Sequence, residues 1–205
     1  MKILVFANDM SWNELIAGSS GIEWIRAENI DSFANREGTD AYFNLSENIK
    51  ETDYSLLKKP VFINSVPVTL QKITAAENVI RINGWNGFLK RSSWEIAGKS
   101  TGECMVVLKA MNKNVIVVPD EPGFITARII SMIINEAYFA KGENVSTEKE
   151  IDIAMKLGTN YPYGPFEWGK MIGIKNIYVL LKTLSKTDTR YKPSLLLEQE
   201  AMKIQ

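Results

Sequence analysis

The chain has 205 residues, enough for one large hydrophobic core or two small ones. Hydrophobic residues make up 45% and charged ones 23%, and 24 Lys and Arg balance 24 Asp and Glu, so no net charge draws the protein to nucleic acid or an anionic membrane. There is no histidine and one cysteine, Cys104, which excludes an intrachain disulfide, a Cys-built zinc site and every histidine-dependent base or nucleophile pair. Any metal would need carboxylates alone, and none is expected.

No apolar run nears the roughly 18 residues of a membrane helix. Met1 to Ala7 is interrupted too soon by Asn8 and Asp9 for a signal peptide, so a soluble, cytoplasmic protein is the expectation. Lys2-Ile3-Leu4-Val5-Phe6 has the length of a buried strand, and Ile22-Glu23-Trp24-Ile25 alternates. Ala41-Tyr42-Phe43, Val61-Phe62-Ile63, Val79-Ile80-Arg81-Ile82 and Val115-Ile116-Val117-Val118 follow. Continuous apolar runs joined by helical segments predict a parallel sheet covered on both faces. Ser100-Thr101-Gly102-Glu103 predicts a capping box opening a helix through about Met111, from which Cys104 packs on the sheet. The character changes near Asp120-Glu121-Pro122-Gly123. Ile125, Ile129, Met132, Ile133 and Ala140 recur at helical spacing, and Gly142 is expected just past that helix. Thr147-Glu148-Lys149-Glu150 is a second capping box, for a helix closing at Gly158. After the turn residues Tyr161-Pro162-Tyr163-Gly164-Pro165, two further helical stretches run through about Met171 and Leu184. The fold class is α/β plus all-α, with a sheet domain over 1–119 and a helical domain over 120–205.

The helical half carries a resemblance. Pro122-Gly123-Phe124-Ile125, Ile151-Asp152-Ile153-Ala154-Met155-Lys156-Leu157-Gly158, Tyr161-Pro162-Tyr163-Gly164-Pro165-Phe166-Glu167 and Arg190-Tyr191-Lys192-Pro193-Ser194 occur in that order. Together they resemble the C-terminal domain of bacterial 3-hydroxybutyryl-CoA and other 3-hydroxyacyl-CoA dehydrogenases. The resemblance extends backward through Trp94-Glu95-Ile96 and the strand before Asp120. It implies a shortened Rossmann-like sheet domain followed by a helical domain that supplies a homodimer interface. It also implies oxidation of the 3-hydroxyl of an acyl-CoA with NAD as hydride acceptor. In that chemistry a histidine takes the hydroxyl proton, a glutamate holds the histidine, and a serine and an asparagine polarise the substrate oxygen. The base must change protonation state near neutral pH.

Carried onto this chain, the histidine position, twelve residues before Glu95, is Asn83 in Asn83-Gly84-Trp85-Asn86-Gly87, while Glu95 and Asn86 match the family. An amide cannot take a proton at neutral pH, and loss of a general base typically costs about 10²–10⁴ in rate. The asparagine after Pro-Gly-Phe becomes Ala127, and the serine falls at Val66, with Ser65 beside it as a stand-in. The catalytic candidates are therefore Glu95, Asn83 and Asn86, and the substrate-binding candidates Ser65 and Phe124. Glu95, with no histidine to orient, reads as structural. At the dinucleotide end the three glycine positions of Gly-x-Gly-x-x-Gly read Ala7, Asp9 and Trp12: a side chain and an acid where backbone must meet pyrophosphate, and an indole where a helix must approach a strand. Glu28 lies about where a ribose-binding acid would fall and reads as a solvated glutamate. Gly18-Ser19-Ser20-Gly21 lacks the spacing and lysine of a P-loop. The family's helical excursion that meets CoA has no visible counterpart, Trp85, Trp94 and Trp168 read as packing residues, and Lys58-Lys59 and Lys90-Arg91 as solvated charge.

No cofactor is expected, with NAD the cofactor only if a rearranged site works. The expected function is that of an acyl-CoA-type ligand binder or a dimeric scaffold, with a related dehydrogenase as a further partner. The alternative is an active NAD-dependent 3-hydroxyacyl-CoA dehydrogenase. Neither nucleic acid nor membrane is an expected partner.

Overall fold

The computed structural model describes residues 1–17, 20–34, 38–46, 49, 53–99 and 101–203. The chain forms two compact units, Met1–Phe124 and Ile125–Gln205. No described helix is long and apolar enough to cross a membrane.

The first unit is a seven-stranded sheet of β1 (Lys2–Phe6), β2 (Glu23–Arg26), β3 (Ala41–Asn44), β4 (Val61–Asn64), β5 (Val79–Ile82), β6 (Ser93–Ala97) and β7 (Asn114–Val117), in the order β2-β1-β3-β4-β5-β6-β7. Successive side chains of a strand point to opposite faces, and both faces are covered. Ile3, Val5, Phe43, Phe62, Ile80, Ile82 and Ile96 pack with Leu15 of α1 (Asp9–Ile16) and with Cys104, Val107 and Leu108 of α3 (Gly102–Ala110). Leu4, Tyr42, Val61, Ile63 and Val79 pack with Phe33 of α2 (Ile30–Ala34) and with Tyr54 on the other side. The two-sided burial is why these strands read as continuous apolar runs. Phe43 and Phe62 stack across β3 and β4 with centroids 4.5 Å apart. Cys104 is fully buried, and burial pushes its thiol up to about 11, so it packs as a small apolar group.

Three local expectations need correction. The sheet is not wholly parallel: β6 runs antiparallel to β5, with Arg81 opposite Ala97 and Ile82 opposite Ile96. Residues 83–92 form turns, closed by Phe88 N to Trp85 O and Arg91 N to Phe88 O, and that is too short for the crossover a parallel neighbour requires. Lys113 Nζ closes the turn from beneath by donating to the Leu89 and Arg91 carbonyls at 2.8 Å each. The α3 cap is Thr101, whose hydroxyl accepts from Cys104 N; Glu103 pairs with Lys59, and Ser100 lies outside the described residues. In the second unit Gly142 still belongs to the helix, and the left-handed residue beyond it is Asn144 at φ 57°.

The second unit comprises α4 (Thr126–Gly142), α5 (Glu148–Thr159), α6 (Pro165–Ile172), α7 (Ile174–Leu184) and α8 (Leu195–Lys203). The Thr147–Glu150 capping box opens α5 with both reciprocal bonds made, and Asn160 at φ 56° ends it. Glu167 accepts from Gly164 N to cap α6. Asp152 of α5 lies buried against this turn and accepts from Phe166 N at 2.8 Å; it fills the space a side chain at position 164 would need. Asn135 of α4 holds the segment before α8, donating to Lys192 O and accepting from Ser194 N.

Candidate functional site

In an open sheet the ligand crevice lies beyond the carboxyl ends of the strands where connections leave in opposite directions. Here β1 is flanked by β2 on one side and β3 on the other, so the switch point falls between β1 and β3. Past β1 come Ala7 and the start of α1. The Asn8 side chain accepts from Ser11 N at 2.9 Å and caps the helix, and Trp12 packs partly buried against the core. Past β3, the fully buried Asn44 turns the chain, donating to Tyr54 Oη and accepting from Ser46 N and Oγ. A cleft of about 400 Å³ opens nearby among Phe6, Ala7, Arg26, Ala27 and Glu28.

The candidates near the β5–β6 turn come together. Continuing the register of Arg81 with Ala97 and Ile82 with Ile96 by one residue sets Asn83 opposite Glu95, and both are buried. Asn83 Oδ1 accepts from Trp85 N at 3.3 Å, while its Nδ2 is a buried donor with no partner. Leaving such a donor unpaired costs about 1–3 kcal/mol. Asn86 is half-buried in the same turn. Gly84 N donates to Asn64 Oδ1 at 3.1 Å, and a side chain at Gly84 would meet Asn64 Cβ at 2.8 Å. Glu14 of α1 takes the Gly87 amide with both carboxylate oxygens, at 2.7 and 2.8 Å, and so ties the turn to α1.

Ser65 and Phe124 belong to a different cluster. Ser65 is 2% exposed and its hydroxyl donates to Val68 O at 2.6 Å. Phe124 is buried at φ 51°, an uncommon backbone region for a bulky residue. Its ring lies 4.8 Å from the Arg81 guanidinium. Arg81 is fully buried and all its donors are engaged: Nε to Ser65 O, Nη2 to Val66 O, Nη1 to Asp120 and both Nη to Glu121 O. Burial pulls the guanidinium below its ordinary value against the opposing pull of Asp120. Asp120 also accepts from Leu70 N and Gln71 N. Burial pushes its carboxyl up, but Arg81 and the two amides outweigh this and hold it below the usual carboxylate range. One arginine thus fastens residues 65–66, 120–121 and 124 to the sheet. Arg81 sits inside a run read only as a strand; the available signal was a cation at a position whose neighbours are all buried.

Ala127 is fully buried in α4. Among the described residues no group of three or more His, Cys, Asp or Glu side chains could hold a metal ion.

Residues 123–203 match the family described as 3-hydroxyacyl-CoA dehydrogenase, C-terminal domain. Over 105 residues, 50% of this chain and 22% of the relative, the sequence is 41% identical to the 3-hydroxyadipyl-CoA dehydrogenase of Escherichia coli (strain K12). Over 102 residues, 48% of this chain and 36% of the relative, it is 36% identical to the 3-hydroxybutyryl-CoA dehydrogenase of Clostridioides difficile. The chain spans well under half the length of these curated relatives in the matches. Among solved structures, the (S)-3-hydroxybutyryl-CoA dehydrogenase of Ralstonia eutropha superposes with a TM-score of 0.66 over 88% of this chain and 70% of that one. At 22% identity, that likeness speaks to the fold alone. Residues 123–203 thus belong with the C-terminal domain of the 3-hydroxyacyl-CoA dehydrogenases, and the chain as a whole is similar to such an enzyme in fold.

Proposed function

We propose that this protein is a cytoplasmic, non-dehydrogenating member of the family, a homodimer through its helical unit that binds an acyl-CoA-type ligand at Asn83. One observation carries the reading. At the position where the family's resemblance calls for a proton-accepting histidine stands an amide whose Nδ2 is buried and unpartnered. A thioester or keto oxygen would supply the missing acceptor, whereas no group on that side chain can accept a hydroxyl proton. Glu95 opposite it and Asn86 in the same turn complete the polar wall. Ser65 and Phe124 then act indirectly, as part of the Arg81 cluster.

The residues at the nucleotide end do not fit NAD. Ala7 and Asp9 put side chains where a pyrophosphate needs bare backbone, and Trp12 occupies the helix–strand approach. The competing reading, an NAD-dependent 3-hydroxyacyl-CoA dehydrogenase with a rearranged site, draws on the retained, buried Glu95 beside Asn83.

Calorimetric titration with acetoacetyl-CoA, followed by an NADH-oxidation assay on the same sample, separates the two. The expected result is saturable thioester binding, weakened in Asn83→Leu, with no NADH consumed. Turnover above the buffer rate would establish the dehydrogenase reading instead. Absence of any thioester heat would remove the ligand and leave the dimeric scaffold.

A further inference from the structure

The turn between β1 and α1 is where a dinucleotide's pyrophosphate rests in a sheet of this topology, against bare backbone and helix amide groups. In this chain a side chain from the neighbouring strand already meets that turn. Arg26, the last residue of β2, reaches over to it: Nη2 donates to the Ala7 carbonyl at 2.9 Å and lies 2.7 Å from Asp9 Oδ1. The same guanidinium stands 5.6 Å from the centre of the Trp12 ring. Ala7, Asp9 and Trp12 are the three positions that would be glycine in the dinucleotide fingerprint, and one arginine touches all of them. The Asn8 side chain meanwhile serves the Ser11 amide at the helix start. Asp9 lies in the first turn of α1, where a carboxylate complements the helix dipole. The turn carries an ion pair that a dinucleotide site lacks. Such a site keeps the turn uncharged and places an acid near the end of the second strand; here Glu28 keeps an acid there, but a second acid stands on the turn and a cation ends the strand.

We infer that the Asp9–Arg26 pair stands in for a ligand phosphate and its counter-charge, so that the chain supplies its own anion to the α1 start and thereby excludes pyrophosphate-bearing ligands. The inference rests on the proposed loss of NAD-dependent chemistry and names the device behind it. An exposed ion pair is weak by itself, and both partners are solvent-facing, with side chains 39% and 88% exposed. Exclusion therefore comes from the sign of the charge and from the Asp9 side chain standing where backbone must approach a phosphate. Arg26 is at the same time the group that would welcome a phosphate once Asp9 is gone.

The test is a fluorescence titration with NADH of the full chain, its Asp9→Gly variant and its Asp9→Asn variant. Asp9 is exposed, so neither change reaches the core. Wild type is expected to give no saturable binding. Asp9→Gly, with the carboxylate and Cβ removed and Arg26 released, is expected to bind at least about tenfold above the wild-type detection limit. Asp9→Asn should fall between them, and it carries the same comparison if the glycine variant loses its circular dichroism spectrum. Micromolar binding by wild type would overturn both the inference and the proposed function. Equal blindness of wild type and the folded variants would overturn the inference alone, because something other than this pair would then be excluding the ligand.

Discussion

The two units handle their buried polar groups differently. In the helical unit these groups join one helix to the next. Tyr138 and Lys141 of α4 both reach Glu200 of α8, Asp152 of α5 takes the Phe166 amide of α6, and Tyr178 of α7 donates to Glu198 of α8. In the sheet unit the corresponding groups tie loops to strands: Arg81 holds three segments, Glu14 holds the Gly87 turn and Asn44 holds the turn after β3. The family match falls on residues 123–203, where polar residues serve helix packing. Apart from Ala127, the residues that depart from the family's site lie in the sheet unit, where that chemistry would require bare backbone or a titrating ring.

The contrast can be broken most sharply at Arg81. Arg81→Ala leaves Asp120 without its cation and several carbonyls without donors, and a cost of about 3–5 kcal/mol is expected. Urea denaturation gives the total, and native-state hydrogen exchange should place the loss in residues of the sheet unit while the helical unit keeps its protection. A loss below about 1 kcal/mol would mean that Arg81 behaves like an exposed charge and that the loops are held otherwise.

A smaller effect of the opposite location is expected from Asp152→Ala. The Phe166 amide loses its acceptor in a buried turn, at a cost of about 1–3 kcal/mol. Here protection should fall in α5 and α6. Spread of the loss into the sheet would show that Asp152 acts beyond the α5–α6 turn.

Acidification should sharpen the comparison through a slope. The Asp120 carboxyl is held below its ordinary value in the folded chain, so it binds protons less readily there than when unfolded. Its stabilising contribution is therefore fully present above the usual carboxylate range near pH 4 and is lost as pH falls through the lower, folded value. Melting temperatures of wild type and Asp120→Asn between pH 6 and about 3 should converge as the contribution disappears. Glu148, lowered chiefly by its bond to Lys141, has the same sign in the helical unit. If the gap between wild type and Asp120→Asn does not narrow in acid, the Arg81 pairing is not what stabilises that carboxylate.

The smallest expected change is Thr147→Ala. It removes one half of the α5 capping box, with a cost of about 1 kcal/mol read as a modest drop in melting temperature. Glu150, held down to about 2 by Ser146 and Thr147, should then titrate closer to an ordinary glutamate. Carboxylate chemical shifts followed against pH would report this directly.

Much of the architecture was legible without coordinates because the relevant signals are local. Six strands of the sheet announced themselves as short apolar runs, β6 only through the family resemblance, and the Thr147 box as a spacing between two residue types. Helix α8 was missed, because after Ser194 three leucines in succession show no helical stripe. The end of α4 was misplaced by two residues because Asn144, rather than Gly142, takes the left-handed conformation.

The candidate site divides along the same line. The family spacing relates Asn83 to Glu95, and the antiparallel β5–β6 register, continued one residue past Ile82 and Ile96, places them across from each other. A lone cation in an apolar run was the one local mark of Arg81, whose partners lie between 15 and 40 residues away along the chain, and nothing local marked Arg26, whose partner carbonyl lies 19 residues back. The sequence by itself determined where most strands and the middle helices of the second unit form, that no histidine base exists, and that side chains replace the fingerprint glycines. Only the tertiary structure decided the reversed direction of β6, the burial of an arginine inside the sheet and the arginine laid across the fingerprint turn. Periodicity and capping are properties of neighbouring residues, whereas pairing direction and ion-pair choice depend on which distant segments the folded core brings together.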